Sequence, residues 1–381
     1  MNKFSERKIP LSGSDITEKE KNAVLKVLEG PYLSLGPRLP EFEEKMAVYT
    51  GTKHAVAVNS GTSALHLIVR ALGIGQGDEV ITTPFSFIAS ANCMLFENAK
   101  PVFVDIDPVS LNINVDLIEE RITKKTKAIL AVDVFGHPAE WTALEKISKK
   151  HGLKLIEDSC EAIGAEYKGK KAGSFGLAGT FAFYPNKQIT TGEGGMVVTD
   201  DEAIANFCRS ARNQGRSLSG AWLAHERLGF NYRLSDINCA LGIVQLERIN
   251  EILHKRDGVA QMYNDRLKDI EEIDLPYVSQ DIKMSWFVYV VKLKKEFSKE
   301  QRDSILESLK KEGIGCSNYF SPIHLQPFYR KTFGYKEGDY PKTESVSERT
   351  IALPFYNNLK KTEIDYVVNV LKEKIWETKG V

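Results

Sequence analysis

The stretch His54-Ala55-Val56-Ala57-Val58-Asn59-Ser60-Gly61-Thr62-Ser63-Ala64-Leu65-His66-Leu67-Ile68-Val69-Arg70-Ala71-Leu72 decides the fold. Its first five residues form a short apolar run, a polar turn with one glycine follows, and from Ser63 the apolar residues recur at helical spacing. A strand that enters a helix through a tight turn is half of a βαβ unit. Similar apolar runs lie at 79–83, 101–104, 128–132, 154–156, 179–183 and 196–199, with helical patterns such as 141–151 between them. Seven strands with helical crossovers predict an α/β fold, a three-layer sandwich around a mostly parallel sheet.

Beyond residue 235 the pattern changes. Apolar residues at three-and-four spacing over 236–267 predict one long helix linking two units. A strand-like run at 286–293, a charged helix near 299–313 and a last helix near 361–374 suggest a small α+β unit, while 328–347, rich in Lys, Gly, Tyr and Glu, reads as an exposed loop. At 381 residues the chain exceeds a minimal single core. The division expected is a large unit with an N-terminal arm over 1–250 and a small one over 251–381.

Composition narrows the function classes. With 51 basic and 51 acidic side chains, the charge balance suggests neither nucleic acid nor an anionic membrane as partner. No apolar run reaches the ~18 residues of a membrane span, and the start of the chain lacks a secretory stretch, so a cytoplasmic protein is expected. The five cysteines contain no CxxC pair and the seven histidines no HExxH or HxxxH pair. Reduced thiols and no metal site follow.

In open α/β sheets, ligands bind beyond the carboxyl ends of the strands, and four such ends hold unusual chemistry. Asn59 to Ala64 opens a helix with free amides, hydroxyls and a positive dipole end, all suited to a phosphate. Thr83-Pro84-Phe85-Ser86-Phe87 offers an aromatic face to a planar heterocycle. The strand from Lys154 ends in Glu157-Asp158-Ser159-Cys160-Glu161, and a carboxylate there needs a positive partner such as a protonated pyridine nitrogen. Lys187 lies in an aromatic, glycine-flanked turn where desolvation favours its neutral amine. Taken singly, these are an N-cap, core phenylalanines, a surface acid and a solvated loop lysine. Together they describe a site for pyridoxal 5'-phosphate.

Segments 31–37, 59–67 (NSGTSALHL), 157–165 (EDSCEAIGA), 183–196 (FYPNKQITTGEGGM), 229–249 (GFNYRLSDINCALGIVQLERI), 321–329 (SPIHLQPFY) and 353–359 (LPFYNNL) make most of the chain resemble the DegT/DnrJ-type nucleotide-sugar aminotransferases. The resemblance implies a fold-type-I pyridoxal-phosphate enzyme and a homodimer with shared active sites. By position, Lys187 matches the Schiff-base lysine, Asp158 the partner of the pyridine nitrogen and Phe87 the stacking aromatic. Gly61, Thr62 and Ser63 match the phosphate cup, Asn231 a residue reaching the phosphate from the neighbouring subunit, and Tyr319 and His324 substrate contacts. Two positions depart from the family's commonest pattern: Glu161 stands where Gln is usual, against the ring oxygen, and Ala182 where a phosphate-binding Ser is usual.

What the resemblance implies for chemistry is transfer of an amino group from L-glutamate to a nucleotide-linked keto-sugar, with Lys187 as general base once freed from the cofactor. A 4-keto-6-deoxyhexose is the expected acceptor; a 3-keto isomer and a cyclic ketone of the inosose type stay open. The retained lysine speaks against the family's deoxygenating members, which have histidine there. Other classes fare worse. Gly73-Ile74-Gly75-Gln76-Gly77-Asp78 fails the dinucleotide fingerprint, and no P-loop is present. A cofactor-binding regulator is the non-enzyme alternative, with turnover of glutamate as the discriminator.

Overall fold

In the computed structural model, which describes residues 8–219 and 224–379, strand β1 (His54–Val58) alternates its side chains between two cores. Val56 and Val58 face one and Ala55 and Ala57 the other, as the two-residue period of a strand requires. Six more strands complete the sheet: β2 (Glu79–Thr82), β3 (Lys100–Phe103), β4 (Thr126–Val132), β5 (Lys154–Asp158), β6 (Ala178–Ala182) and β7 (Gly195–Thr199). Their spatial order is β1-β7-β6-β5-β4-β2-β3. Only β7 runs against the rest, pairing antiparallel with both β1 and β6. All seven strands lie where the apolar runs placed them, and the mostly parallel α/β sandwich is the fold observed.

Helices cover both faces of this sheet. The helices α1 (Glu18–Leu28) and α2 (Arg38–Thr50) precede it; α3 (Gly61–Ala71), α4 (Ala89–Leu95), α5 (Trp141–His151), α6 (Glu202–Arg212) and α7 (Asp236–Glu247) follow in chain order. Leu65 and Ile68 of α3, Met94 of α4 and Cys208 of α6 pack on Val80, Leu130 and Ile156. On the opposite face, Trp141 and Leu144 of α5 meet Ile129 and Leu155. Phe42 and Met46 of α2 and Ile243 of α7 cover Phe181 and Val198 beside them.

The C-terminal part builds a second core. A three-stranded antiparallel sheet of β8 (Ile273–Asp274), β9 (Tyr289–Leu293) and β10 (Thr350–Leu353) packs with α8 (Ile249–Leu267), α9 (Lys299–Lys311) and α12 (Lys361–Lys379). Strand β9 again uses the period of two: Val290 joins the first core, whereas Tyr289, Val291 and Leu293 join the second. Helix α8 spans both, with Ile249 and Ile252 in the large part and Tyr263 and Leu267 in the small.

Two expectations are corrected. The helix over 236–267 is broken at Arg248, where the backbone turns (φ −94, ψ 4). There the guanidinium gathers Asp15, Glu20 and Glu251 at 2.6–3.1 Å, tying the N-terminal arm to the break. Residues 328–347 are not a loop alone; they hold two short helices, α10 (Pro327–Phe333) and α11 (Pro341–Ser347). Their hidden driving force is aromatic, since Tyr329, Tyr335 and Tyr340 surround Phe103 at 5.4–6.0 Å.

Midway along α8, Arg256 is buried with no carboxylate against it among the described residues. It donates to the carbonyls of Trp286 (2.6 Å) and Phe287 (2.7 Å) and to Asn357 Oδ1 (2.9 Å). Truncation strands those acceptors and leaves a cavity. Arg256→Ala is expected to lower the unfolding free energy by about 3 kcal/mol in denaturant titration; a loss below ~0.5 kcal/mol would show that the carbonyls find other donors.

Candidate active site

Because β1, β2, β5 and β6 run parallel, their carboxyl ends meet at one edge of the sheet. A cavity of about 490 Å³ opens there. Gly61, Thr62, Phe87, Asp158, Glu161, Lys187 and Tyr319 all lie on its wall.

Lys187 owes its position to a pinned turn. Its amide bonds Tyr184 O at 2.9 Å, and Thr191 N and Thr190 Oγ1 both return to Phe183 O. The next residue, Gln188, donates to Glu161 O (2.6 Å) and to Ser285 Oγ (3.0 Å). The side chain is only 12% exposed. Its Nζ lies 3.6 Å from Glu161 Oε1 and 3.9 Å from the centre of the Phe287 ring.

Asp158 closes β5 and is buried. Oδ2 accepts from Ser90 Oγ at 2.7 Å, Ser90 in turn meets Ser86 Oγ at 2.8 Å, and Oδ1 accepts from Cys160 N at 3.2 Å. Neither serine stood out in the sequence, where Ser86 precedes α4 and Ser90 lies in its first turn. Glu161 is held differently: Oε2 accepts from Phe135 N at 2.9 Å, leaving Oε1 toward the lysine. Burial raises the Glu161 pKa, while Lys187 pulls the other way.

At the helix end of the cavity, the amides of Gly61 and Thr62 begin α3 and lie beyond intrahelical acceptors. A Cβ on Gly61 would fall 2.8 Å from Ala182 Cβ and 2.9 Å from Cys160 Sγ, so no side chain fits. Ser63 turns inward, with N bonded to Ser60 Oγ (3.1 Å) and Oγ to Asn59 Oδ1 (2.7 Å), and is not on the wall. Ser60, which the sequence reading did not single out, is on it. Phe87 and Tyr184 also face the cavity, each more than half exposed.

Two residues lie elsewhere. His324 is fully buried, its Nε2 2.9 Å from Glu344 Oε1 and its ring 4.7 Å from that of Tyr340. It does not line the cavity, because the short turn Ile323–Leu325 docks the ring into the aromatic cluster instead. Asn231 is exposed outside the cavity, its carbonyl accepting from Asn59 Nδ2 at 3.4 Å. Conversely Phe287 and Phe320, unremarked as core-like aromatics, complete the wall from the C-terminal part.

Behind the cavity sits a second acid pair. Ser159 Oγ lies 2.8 Å from Asp133 Oδ2 and 2.6 Å from Glu157 Oε1. Asp133 also accepts from Ala139 N and Trp141 Nε1, and Glu157 from Phe175 N. Burial pushes the Asp133 carboxyl up to about 6 and, with Asp133 beside it, Glu157 upward as well. A raised acid is most stabilising while protonated, and that contribution is lost as pH rises through about 6. Asp133→Asn cannot ionise and retains Oδ1 as acceptor. From pH 4 to 7 its stability relative to the unmodified protein is expected to rise by roughly 1–3 kcal/mol. Parallel stability–pH curves for the two proteins would refute the raised Asp133 carboxyl.

The sequence model of the DegT/DnrJ/EryC1/StrS aminotransferase family matches residues 14–372. A GDP-perosamine synthase of Caulobacter vibrioides is 36% identical over 368 residues, 96% of this chain and 98% of the relative. Among solved structures, Helicobacter pylori PseC, an aminotransferase of pseudoaminic acid biosynthesis, superposes with a TM-score of 0.92 at 33% identity, covering 97% of this chain and all of that one. Spr1654 of Streptococcus pneumoniae in its PLP-form gives a TM-score of 0.93 at 29% identity, covering 98% and 100%.

Proposed function

Since the chain belongs to the DegT/DnrJ/EryC1/StrS aminotransferase family and is a sugar aminotransferase, we propose that it transfers the amino group of L-glutamate to a nucleotide-linked keto-sugar with pyridoxal 5'-phosphate as cofactor. The carrying observation is the juxtaposition of Lys187 and Asp158 in one cavity with the free first-turn amides of α3. The preferred acceptor is a 4-keto-6-deoxyhexose on a nucleoside diphosphate. Similarity to a GDP-perosamine synthase supports the nucleotide-linked class. A product destined for surface polysaccharide or glycoconjugate fits that class, as does a cytoplasmic location.

The residues present fit the cofactor. The first-turn amides of Gly61 and Thr62 are free of intrahelical acceptors on the cavity wall and suit a phosphate, and the broad exposed ring of Phe87 offers a stacking face within the same cavity. Pyridoxal phosphate, when bound, supplies an aldehyde for an amine and a ring that accepts electrons.

This chain's own residues do the rest. Gly61 and Thr62 hold the phosphate through main-chain donors; Ala182 adds no hydroxyl there, and Ser60 and Thr62 are the hydroxyl-bearing residues of the same helix start on the wall. Asp158, with one oxygen fixed by Ser90 and the other by Cys160 N, presents a carboxylate to the ring nitrogen and keeps its proton in place. Lys187 holds the cofactor, then, as a free amine, moves the proton from the donor's α-carbon. Tyr319, Phe287 and Phe320 close the wall where the sugar enters. Asn231, exposed on each protomer, reaches the phosphate of a second copy in a homodimer.

The test is spectroscopic. Purified protein is given pyridoxal phosphate, and the visible band of the lysine-bound cofactor is followed on adding L-glutamate. Conversion of the band to the aminated cofactor is expected; a band that glutamate leaves untouched argues for another donor or a non-catalytic binder. Lys187→Ala should show neither band nor turnover; it is expected to fold, with a lowered melting temperature because the buried Glu161 carboxyl loses the cation beside it. For Asp158→Asn, turnover is expected to fall by about a hundredfold or more with cofactor still bound, and unchanged kinetics would remove its role.

A further inference from the structure

A partly buried lysine that must react as a neutral amine needs somewhere to leave its proton, and the described residues place one carboxylate against Lys187. That group is Glu161, whose Oε1 lies 3.6 Å from Nζ. Asp158 is differently employed, with Ser90 on Oδ2 and Cys160 N on Oδ1. The Glu161 carboxyl is anchored by Phe135 N on its other oxygen, and its carbonyl accepts from Gln188, the residue after the lysine. Thus backbone and side-chain contacts fix the pair in register.

Resting on the cofactor reading above, we propose that Glu161 takes the proton from Lys187 when the lysine becomes a free amine. The Nζ–H bond breaks and a Glu161 O–H bond forms, turning an ammonium–carboxylate pair into an amine beside a carboxylic acid. The amine nitrogen then bonds the aldehyde carbon, and the carbonyl oxygen leaves as water with the two amine hydrogens. Net charge of the pair is zero throughout, so the transfer neither creates nor strands a buried ion. The resulting O–H is also a donor, which an ionised glutamate against the ring oxygen would not be.

Four titratable groups face Glu161: Lys187 from the turn, Asp158 and Cys160 from the end of β5, and Tyr319 from the C-terminal part. Lys187 favours the carboxylate, whereas burial and Asp158 favour the acid. That opposition suits a group that must hold either state. The distance is longer than a hydrogen bond, as is common before a ligand closes a site.

The experiment uses cofactor-free protein mixed with pyridoxal phosphate, with the growth of the lysine-bound band timed by stopped flow across pH. In the unmodified protein the rate should rise with pH through an acid-side inflection as Glu161 ionises. In Glu161→Gln, which keeps an acceptor for Phe135 N, loading near neutrality is expected to slow by about tenfold or more and the inflection to vanish. Glu161→Asp should restore part of the rate and the inflection. A Glu161→Gln protein with normal melting, unchanged loading rate and unchanged pH profile overturns the proposal while leaving the cofactor reading intact. Absence of any band in the unmodified protein overturns both.

Discussion

Four carboxylates, Asp133, Glu157, Asp158 and Glu161, are buried around the ends of β4 and β5, and the architecture of the site follows from how each is satisfied. Burying an ionised carboxylate costs several kcal/mol unless donors or cations replace its water. Glu157 and Asp133 point to the far side of β5 and share Ser159. Asp158 faces the cavity with serine and backbone donors, and Glu161 faces the lysine. The alternation of β5 thereby sorts adjacent acids: Glu157 goes to a structural cluster and Asp158 to the reactive edge.

The second constraint is closure. The large sheet supplies the floor, but Phe287, Tyr319 and Phe320 come from beyond α8, so the C-terminal part must be held in place for the cavity to exist. Ser285 does this at short range: its amide bonds Gly136 O, and its hydroxyl donates to Ile163 O. Gly136, at φ +89, has no room for a side chain, since a Cβ would lie 1.7 Å from Ser285 O. Arg256 then fixes the carbonyls of Trp286 and Phe287, so a buried guanidinium in α8 sets the ring that overlies Lys187.

Much of this was legible in the sequence because strand ends, small residues and isolated charges are local signals. The seven apolar runs matched the seven strands, and Gly61, Thr62, Phe87, Asp158, Glu161, Lys187 and Tyr319 were named before the cavity that joins them. What stayed hidden is non-local. Ser90 matters through its 2.7 Å contact with an aspartate 68 positions away, and Phe287 through a lysine 100 positions earlier by chain count alone. His324 sits in a motif that resembles a family segment, yet an aromatic cluster and Glu344 claim its ring. The break at Arg248 is equally invisible to periodicity, because both helices keep the same apolar spacing while a guanidinium collects distant acids at the joint.

The surroundings of Lys187 pose a physical problem that its neighbours also answer. An aromatic face attracts a cation by ~0.5–2 kcal/mol and an adjacent carboxylate adds to that attraction, so Phe287 and Glu161 together hold the lysine head in place. Imine chemistry requires the amine. Removing either neighbour would loosen the hold on the lysine head, and removing Glu161 would also take away the one carboxylate against it. A carboxylate that is itself under opposing pressures resolves this, because a small change nearby shifts one proton between two groups at little net cost. Glu161 is such a group, pressed toward the acid by burial and Asp158 and toward the carboxylate by Lys187. The same pocket can therefore hold the lysine firmly at rest and release its proton when an aldehyde arrives.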